Sequence, residues 1–164
     1  MNTTPLPAAD EPTEADLERE GDIAADFLEG LLDIADIDGD LTLDVRQGRA
    51  YVSVESDDES LRPLAEPDTV QALQELTRLA VQRETGRFSR MILDIGGSRE
   101  ARQRQLERLV DTAIAKLDEG ASQASLPPMS SYERKLVHDV VAARGLVSES
   151  YGDGADRHTV IRRG

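Results

Sequence analysis

The apolar residues of this chain change their spacing along the sequence, and this change limits the fold to a mixture of helices and strands. From residue 16 onward one set of apolar side chains has the spacing of a single helix face: Ile23, Phe27, Leu28, Leu31 and Leu32. Leu41, Leu43 and Val45 then alternate with polar residues, which is the spacing of a strand. An α+β fold is therefore predicted.

The first part of the chain is predicted to contain a helix, two strands, a short helical turn, a second helix and a third strand. Residues 47–48 provide the turn between the first two strands. Asp68 or Thr69 is predicted to cap the second helix, which Gly86 ends. The apolar run at residues 91–95 is predicted to be the third strand.

The second part is predicted to be helices packed on a small sheet. A long helix carries arginines largely on its outer side: Arg99, Arg102, Arg104 and Arg108. A linker at residues 120–128 follows. Ser130 and Glu133 then have the spacing of a capping box at the start of another helix. Residues 146–151 and 157–161 are predicted to be two strands joined by a glycine-rich turn.

The charge of the chain is divided unevenly along its length. The whole chain has a net charge of −14, residues 1–61 have a net charge of −15, and residues 62–164 have a net charge of +1. The acidic character therefore belongs to the N-terminal part. The C-terminal part remains able to present a local basic surface, so the overall charge does not exclude a nucleic-acid ligand.

The composition excludes several classes of function. The chain has no cysteine, which excludes disulfides and thiolate metal sites and fits a reducing cytosol, so a cytoplasmic location is predicted. Neither a signal peptide nor a membrane-inserted helix is predicted. The aspartates at residues 36–44 lack the glycine and glutamate of a calcium loop, so no metal site is predicted. No cofactor and no enzymatic activity are predicted.

Arg134 and His138 form the most informative pair of polar residues. They lie four positions apart on a predicted helix, so they share one face and can converge on one anion. Arginine offers a rigid fork of donors that matches phosphate oxygens, and histidine adds a further donor. The same spacing also arises by chance on exposed helices. Other cationic residues of the same unit extend the predicted patch: Lys135, Arg144, Arg157 and His158.

Residues 126–163 resemble the Arg-x-x-x-His (R-3-H) domain, a module associated with binding of single-stranded nucleic acid. The match includes the Pro-Pro-Met sequence at 127–129, Tyr132 to Arg134, His138, and the strand ending at Tyr151. Segments further upstream resemble the Jag (SpoIIIJ-associated) family, in which a KH domain of the bacterial type (type II) precedes an R-3-H domain: residues 25–34, 70–86 and 91–108.

The resemblance implies a division of the chain into several parts. A disordered acidic tail is expected at residues 1–15, because this segment has too few apolar residues to fold. A KH-like domain is expected at residues 16–96, and a long connecting helix at residues 97–120. The R-3-H domain is expected at residues 121–164, as part of a unit that includes the long helix.

The predicted KH-like domain departs from its family at the loop that holds the nucleotide backbone. KH domains use a Gly-x-x-Gly loop there, because the phosphates approach bare backbone. The corresponding residues are Leu64, Ala65, Glu66 and Pro67. Both glycines are missing, the proline lacks an N–H donor and the glutamate repels phosphate. This loop is therefore predicted to have lost the ability to bind RNA.

Two functions are considered. In the first, the chain binds single-stranded nucleic acid; the resemblance implies RNA, with single-stranded DNA as the alternative, and a role in regulating bacterial gene expression linked to cell growth or envelope synthesis. In the second, it is a protein-interaction scaffold whose KH-like domain no longer binds RNA. The resemblance implies another small KH-domain protein as the partner of such a scaffold.

Overall fold

The computed structural model describes residues 11–164 of the chain. It divides into two compact units, Met1–Arg99 and Glu100–Gly164. The α+β fold class predicted from the sequence is confirmed, because each unit packs helices on a three-stranded sheet. Most of the predicted tail, residues 1–10, lies outside the described residues, and the first helix begins at Glu14, so it includes the last two residues of that predicted tail. No helix within residues 11–164 is both long and apolar enough to cross a membrane.

The first unit has the predicted order of elements. These are helix α1 (Glu14–Ala35), strands β1 (Asp40–Arg46) and β2 (Arg49–Glu55), a 3-10 helix (Glu59–Leu64), helix α2 (Pro67–Thr85) and strand β3 (Ile92–Ile95). The predicted caps of α2 are wrong. The helix begins at Pro67 with Glu66 at the N-cap, rather than after Asp68 or Thr69, because proline is well suited to the first helical position.

The sheet of the first unit is mixed. Strands β1 and β2 form an antiparallel hairpin, whereas β2 and β3 are parallel. Gln47 and Gly48 both have positive φ, 51° and 69°, as the tight hairpin turn requires. The helices pack on one face of this sheet through a continuous core: Ala24, Leu28, Val52, Val81 and Leu93 are among its buried members.

Helix α1 is fixed at its start by local polar contacts. Thr13 and Asp16 form a capping box that satisfies the first free amides of the helix. The carboxylate of Asp16 also forms an ion pair of 2.7 Å with Arg87, which follows α2. The Arg87 guanidinium beside it lowers the pKa of Asp16 from 3.8 to about 2. Further along, the buried carboxylate of Glu20 accepts a 2.8 Å hydrogen bond from the hydroxyl of Ser89.

The second unit has two α-helices, three strands and a short 3-10 helix (Gly154–Asp156). It contains helix α3 (Ser98–Asp118, from Glu100 onward), strand β4 (Gln123–Ser125), helix α4 (Ser131–Ala143) and strands β5 (Val147–Tyr151) and β6 (His158–Arg162). The strand order is β4-β6-β5, and both pairings are antiparallel. The predicted linker at residues 120–128 is corrected, because it contains β4. This strand has only three residues, which are too few to show the alternation of apolar and polar side chains that identifies a strand.

A single apolar core holds the second unit together. Leu106 and Val110 of α3, Val137 and Val141 of α4, and Ile161 of β6 are all buried in it. The predicted capping box at the start of α4 is confirmed. The side chain of Ser130 accepts from the amide of Glu133, and the Glu133 carboxylate accepts from the amide of Ser130. The core and the cap together fix which side of α4 faces the sheet.

Candidate nucleic-acid interface

Helix α4 places Arg134 and His138 one turn apart on the same face, and both residues are half-buried. The orientation of this helix is fixed by Glu133. One oxygen of this carboxylate caps the helix, and the other accepts a 2.6 Å hydrogen bond from Nε of Arg102 on α3. This ion pair is largely shielded from solvent. Glu133 therefore sets the rotation of α4 and with it the direction of the next residue, Arg134.

Arg134 keeps most of its guanidinium available. Nη2 donates a 2.9 Å hydrogen bond to the hydroxyl of Ser131, and Arg134 forms no ion pair with any residue in the described range 11–164. Its Nε is buried and has no hydrogen-bond acceptor within that range. An unsatisfied buried donor is unfavourable, because it has lost its hydrogen bonds to water and has gained no hydrogen bond within the protein. The terminal nitrogens of the guanidinium, rather than this buried atom, are therefore the groups that a ligand can reach.

His138 is held by two serine hydroxyls of β5. Its Nδ1 lies 2.5 Å from Oγ of Ser148, and its Nε2 lies 3.0 Å from Oγ of Ser150. Ser148 and Ser150 are two positions apart on a strand, so their side chains point to the same face of the sheet. Both ring nitrogens are occupied, and the imidazole bridges α4 and β5. The polar atoms of the histidine are thus used within the protein, where they order the two hydroxyls beside the ring.

A cavity of about 780 Å³ lies beside this histidine and extends along β5. The residues that line it include His138, the two serines, Tyr151 and Arg157. Strand β5 is at the edge of its sheet, so side chains from both faces of the strand reach the cavity. Arg157 is exposed, and its side chain forms no hydrogen bond or ion pair within the part of the chain that the structure describes. The cavity therefore combines hydroxyls, an aromatic ring and a free cation.

The other predicted residues lie apart from this cavity or at its margin. Lys135 is exposed on α4 beside Arg134. Arg144 forms an ion pair with Asp111 of α3 and lines a different cavity, of about 320 Å³. His158 pairs with Tyr151 across the β5–β6 ladder. It therefore lies on the face of the sheet opposite the two serines, and its Nδ1 lies 2.9 Å from the carbonyl oxygen of Asp156.

Sequence reasoning did not assign a role to Tyr151, Ser148 or Ser150. Tyr151 is 46% exposed, and its hydroxyl donates a 2.5 Å hydrogen bond to Oε2 of Glu149. This bond, made to an ionised acceptor, raises the pKa of Tyr151 and so keeps the phenol protonated. The signal present in the sequence was the alternation Ser-Glu-Ser-Tyr at 148–151, which places two hydroxyls on the helix-facing side.

The four residues predicted to be an altered KH loop run from Leu64, the last residue of the 3-10 helix, to Pro67, the first residue of α2. Leu64 and Ala65 pack against the core of that unit. The amide of Ala65 already donates to the carbonyls of Leu61 and Arg62, and Pro67 has no amide hydrogen. Few backbone donors are therefore left for a phosphate at this loop, while the carboxylate of Glu66 is exposed.

Comparison with known proteins agrees with this geometry. Residues 104–163 match the model of the R-3-H domain. The chain is similar to the "RNA-binding protein KhpB" of Clostridium symbiosum, with 28% identity over 143 residues that cover 85% of this chain and 64% of the relative. For the protein of the same name from Lactiplantibacillus plantarum, identity is 26% over 136 residues, covering 83% of this chain and 42% of the relative.

A third relative, the "RNA-binding protein KhpB" of Bacillus subtilis, is 32% identical over 96 residues that cover 57% of this chain and 46% of the relative. The chain thus spans between 42% and 64% of the length of these three proteins. The domain match covers α4 and the cavity beside it, and the three alignments are consistent with the resemblance found in the sequence. The chain carries an R-3-H domain, and its similarity to these three proteins supports the resemblance to the Jag family.

Proposed function

We propose that this chain binds single-stranded RNA through the sugar-phosphate backbone, at the face formed by α4 and β5. The observation that carries the proposal is the state of Arg134, which shares a face of α4 with His138 and has no carboxylate partner among residues 11–164. A free guanidinium is the side chain best matched to phosphate oxygens. The names of the three relatives, all RNA-binding proteins, support RNA as the ligand.

The distribution of charge supports the same face. Residues 100–164 contain ten Lys or Arg and ten Asp or Glu, so the second unit has no net charge. Several of its carboxylates are already paired with arginines: Asp111, Asp118, Glu133 and Glu149. Lys135 and Arg157 have no such partner within the described residues. The cations at the α4–β5 face are therefore available to a polyanion.

The wider role of the protein follows from the same proposal. It is a cytoplasmic binding protein rather than an enzyme, and it regulates bacterial gene expression linked to cell growth or envelope synthesis. Contacts to the backbone are shared by all sequences and weaken as salt is added. Single-stranded DNA is therefore expected to bind at the same face, with RNA preferred where the 2′-hydroxyl is also contacted.

The test is a fluorescence anisotropy titration with single-stranded RNA at several salt concentrations. Replacing Arg134 and His138 together with alanine should weaken binding by at least tenfold, since a hydrogen bond to a charged group contributes about 1.5–3 kcal/mol. Loss of one phosphate contact should also lower the slope of log K against log salt by about 0.7. Arg144→Ala is the matched control, because Arg144 is held by Asp111 away from the cavity.

Wild-type affinity in the Arg134→Ala/His138→Ala variant would contradict the proposed face. A similar loss in the Arg144→Ala control would show that overall charge, rather than position, determines binding. Circular dichroism of each variant checks that the second unit remains folded.

The second candidate function is a protein-interaction scaffold, which the first unit favours. This unit carries the whole net charge of −14, with nine Lys or Arg and 23 Asp or Glu in residues 1–99. Its altered loop offers few free amides, and Leu76 and Leu79 on α2 are 51% and 60% exposed. We propose another small KH-domain protein as the partner. Capture of such a protein from lysate after nuclease treatment, without RNA, would favour this function.

A further inference from the structure

We infer that the cavity between α4 and β5 holds one nucleotide of the bound strand, with its base stacked on the ring of Tyr151 and its phosphate bound by Arg157. The inference rests on the proposed function and adds an aromatic contact to it. The cavity is a shallow groove, largely open to solvent, with a volume of about 780 Å³. It is thus large enough for a base, a sugar and a phosphate.

The ring of Tyr151 is fixed before any ligand arrives. Its hydroxyl donates to Oε2 of Glu149 at 2.5 Å, and Oε1 of Glu149 lies 3.1 Å from Nη2 of Arg162 on the neighbouring strand. The carboxylate is thereby neutralised on both sides. A ring that is held in place and 46% exposed loses little conformational freedom when a base stacks on it.

The position of Arg157 is set by Gly152. This glycine follows Tyr151 and has a φ of +85°, and a Cβ placed there would lie 2.9 Å from the carbonyl oxygen of Asp156. Only a residue without a side chain lets the β5–β6 turn close this tightly. The closed turn brings Arg157 to the same cavity as Tyr151 and His138, so a base-stacking group and a phosphate-binding group stand side by side.

The serines of β5 provide hydroxyls at the same cavity. A hydroxyl that accepts a hydrogen bond from the imidazole of His138 keeps its own hydrogen to donate. A neutral imidazole donates from one ring nitrogen and accepts at the other. One of Ser148 and Ser150 therefore accepts from the ring and keeps its hydrogen for a sugar or phosphate oxygen, while the other donates to the ring. Asp139 also lines the cavity, and its carboxylate disfavours a phosphate on that side, so the phosphate is expected next to Arg157.

The experiment compares two single-stranded ligands of equal length and charge with the full chain. One is oligouridylate, and the other is an abasic sugar-phosphate oligomer that has no bases. The wild-type chain should bind both, and it should bind oligouridylate more tightly, since stacking of one base strengthens binding by roughly 5- to 100-fold. Tyr151→Ala should remove this preference and leave the affinity for the abasic oligomer unchanged.

Two further variants control for the structural effect of the substitution. Tyr151→Phe keeps the ring and should retain most of the preference for oligouridylate. Tyr132→Ala removes a tyrosine that is 48% exposed and does not line the cavity, so it should behave as the wild type. Thermal unfolding of each variant shows whether the second unit remains intact.

The outcomes separate the inference from the proposed function. If Tyr151→Ala keeps the preference for oligouridylate, or weakens both ligands equally, the stacked nucleotide is refuted and backbone binding stands. If the wild-type chain binds neither ligand, the proposed function and the inference are refuted together. Equal wild-type affinity for the two ligands would refute the inference alone.

Discussion

Arg134 combines a structural disadvantage with a functional advantage. Its Nε is buried without an acceptor in the described range of residues, and such a group typically costs about 1–3 kcal/mol of stability. The same guanidinium has no carboxylate partner within that range, and Arg134 lies on the face of α4 that carries His138. A residue that lowers stability in the free protein and gains a partner in the complex is typical of a binding site.

Replacing Arg134 with lysine separates these two effects. The variant keeps the positive charge but removes the buried Nε donor and the flat fork. We expect the RNA affinity to fall about 3- to 30-fold, because bidentate phosphate binding is lost. The free energy of unfolding, measured by urea denaturation, should stay the same or rise by up to about 1 kcal/mol. A variant that loses stability while keeping its RNA affinity would contradict this account of Arg134.

At the residue scale, the sequence predicted which side chains share a helix face but not what they contact. The spacing of Arg134 and His138 was sufficient to place them together on α4. The contacts of His138 with Ser148 and Ser150 depend on how α4 packs on β5. The ion pair of Arg144 with Asp111 joins residues 33 positions apart. Neither contact can be predicted from neighbouring residues in the sequence, because each joins two elements that meet only when the unit folds.

At the scale of secondary structure elements, most boundaries followed from residue type. Capping residues, glycines and apolar spacing predicted α1, α4 and the first hairpin. The strand β4 was missed because it has three residues, of which only Ala124 is buried. Its existence depends on pairing with β6, where Ala124 lies opposite Ile161. Short strands of this kind are determined by their partner strand rather than by their own sequence.

The turn between β5 and β6 is the element on which the cavity depends. Gly152→Ala should destabilise the second unit by about 2–4 kcal/mol, because alanine disfavours positive φ and its Cβ meets the backbone of Asp156. Gly154→Ala is the matched control. Gly154 also has positive φ, 54°, but a Cβ there has nothing within 4 Å. It should cost only about 1–2 kcal/mol.

Chemical denaturation of both glycine variants measures the difference, and RNA titration under folding conditions gives a second readout. The Gly152 variant should also bind RNA more weakly, because Arg157 is displaced from the cavity. Equal destabilisation by the two substitutions would show that close backbone approach at Gly152 is unimportant.

At the scale of the whole molecule, charge is separated between the two units. Residues 1–99 carry a net charge of −14, and residues 100–164 carry none. Repulsion between the acidic unit and a polyanion acts over a distance set by salt, about 10 Å at 0.1 M. The negative charge of the first unit is therefore expected to slow the association of RNA with the chain at low salt.

Neutralising exposed carboxylates of α1 tests this effect. Replacing Asp22, Asp26 and Glu29 with their amides removes three charges from residues that are exposed in the structure. The association rate with RNA, measured by stopped-flow fluorescence, should rise severalfold at low ionic strength and match the wild type near 0.5 M salt. A rate difference that persists at high salt would indicate a direct contact instead.

The carboxylate of Glu133, a single side chain, determines how the whole of α4 is oriented. One of its oxygens accepts from the N-cap amide of α4, and the other binds Arg102 of α3. These two contacts fix the rotation of α4 about its own axis. A helix advances about 100° for each residue, and a slip of one position would turn His138 away from both serines. The recognition surface is thus aligned by an acidic group that never needs to meet the nucleic acid.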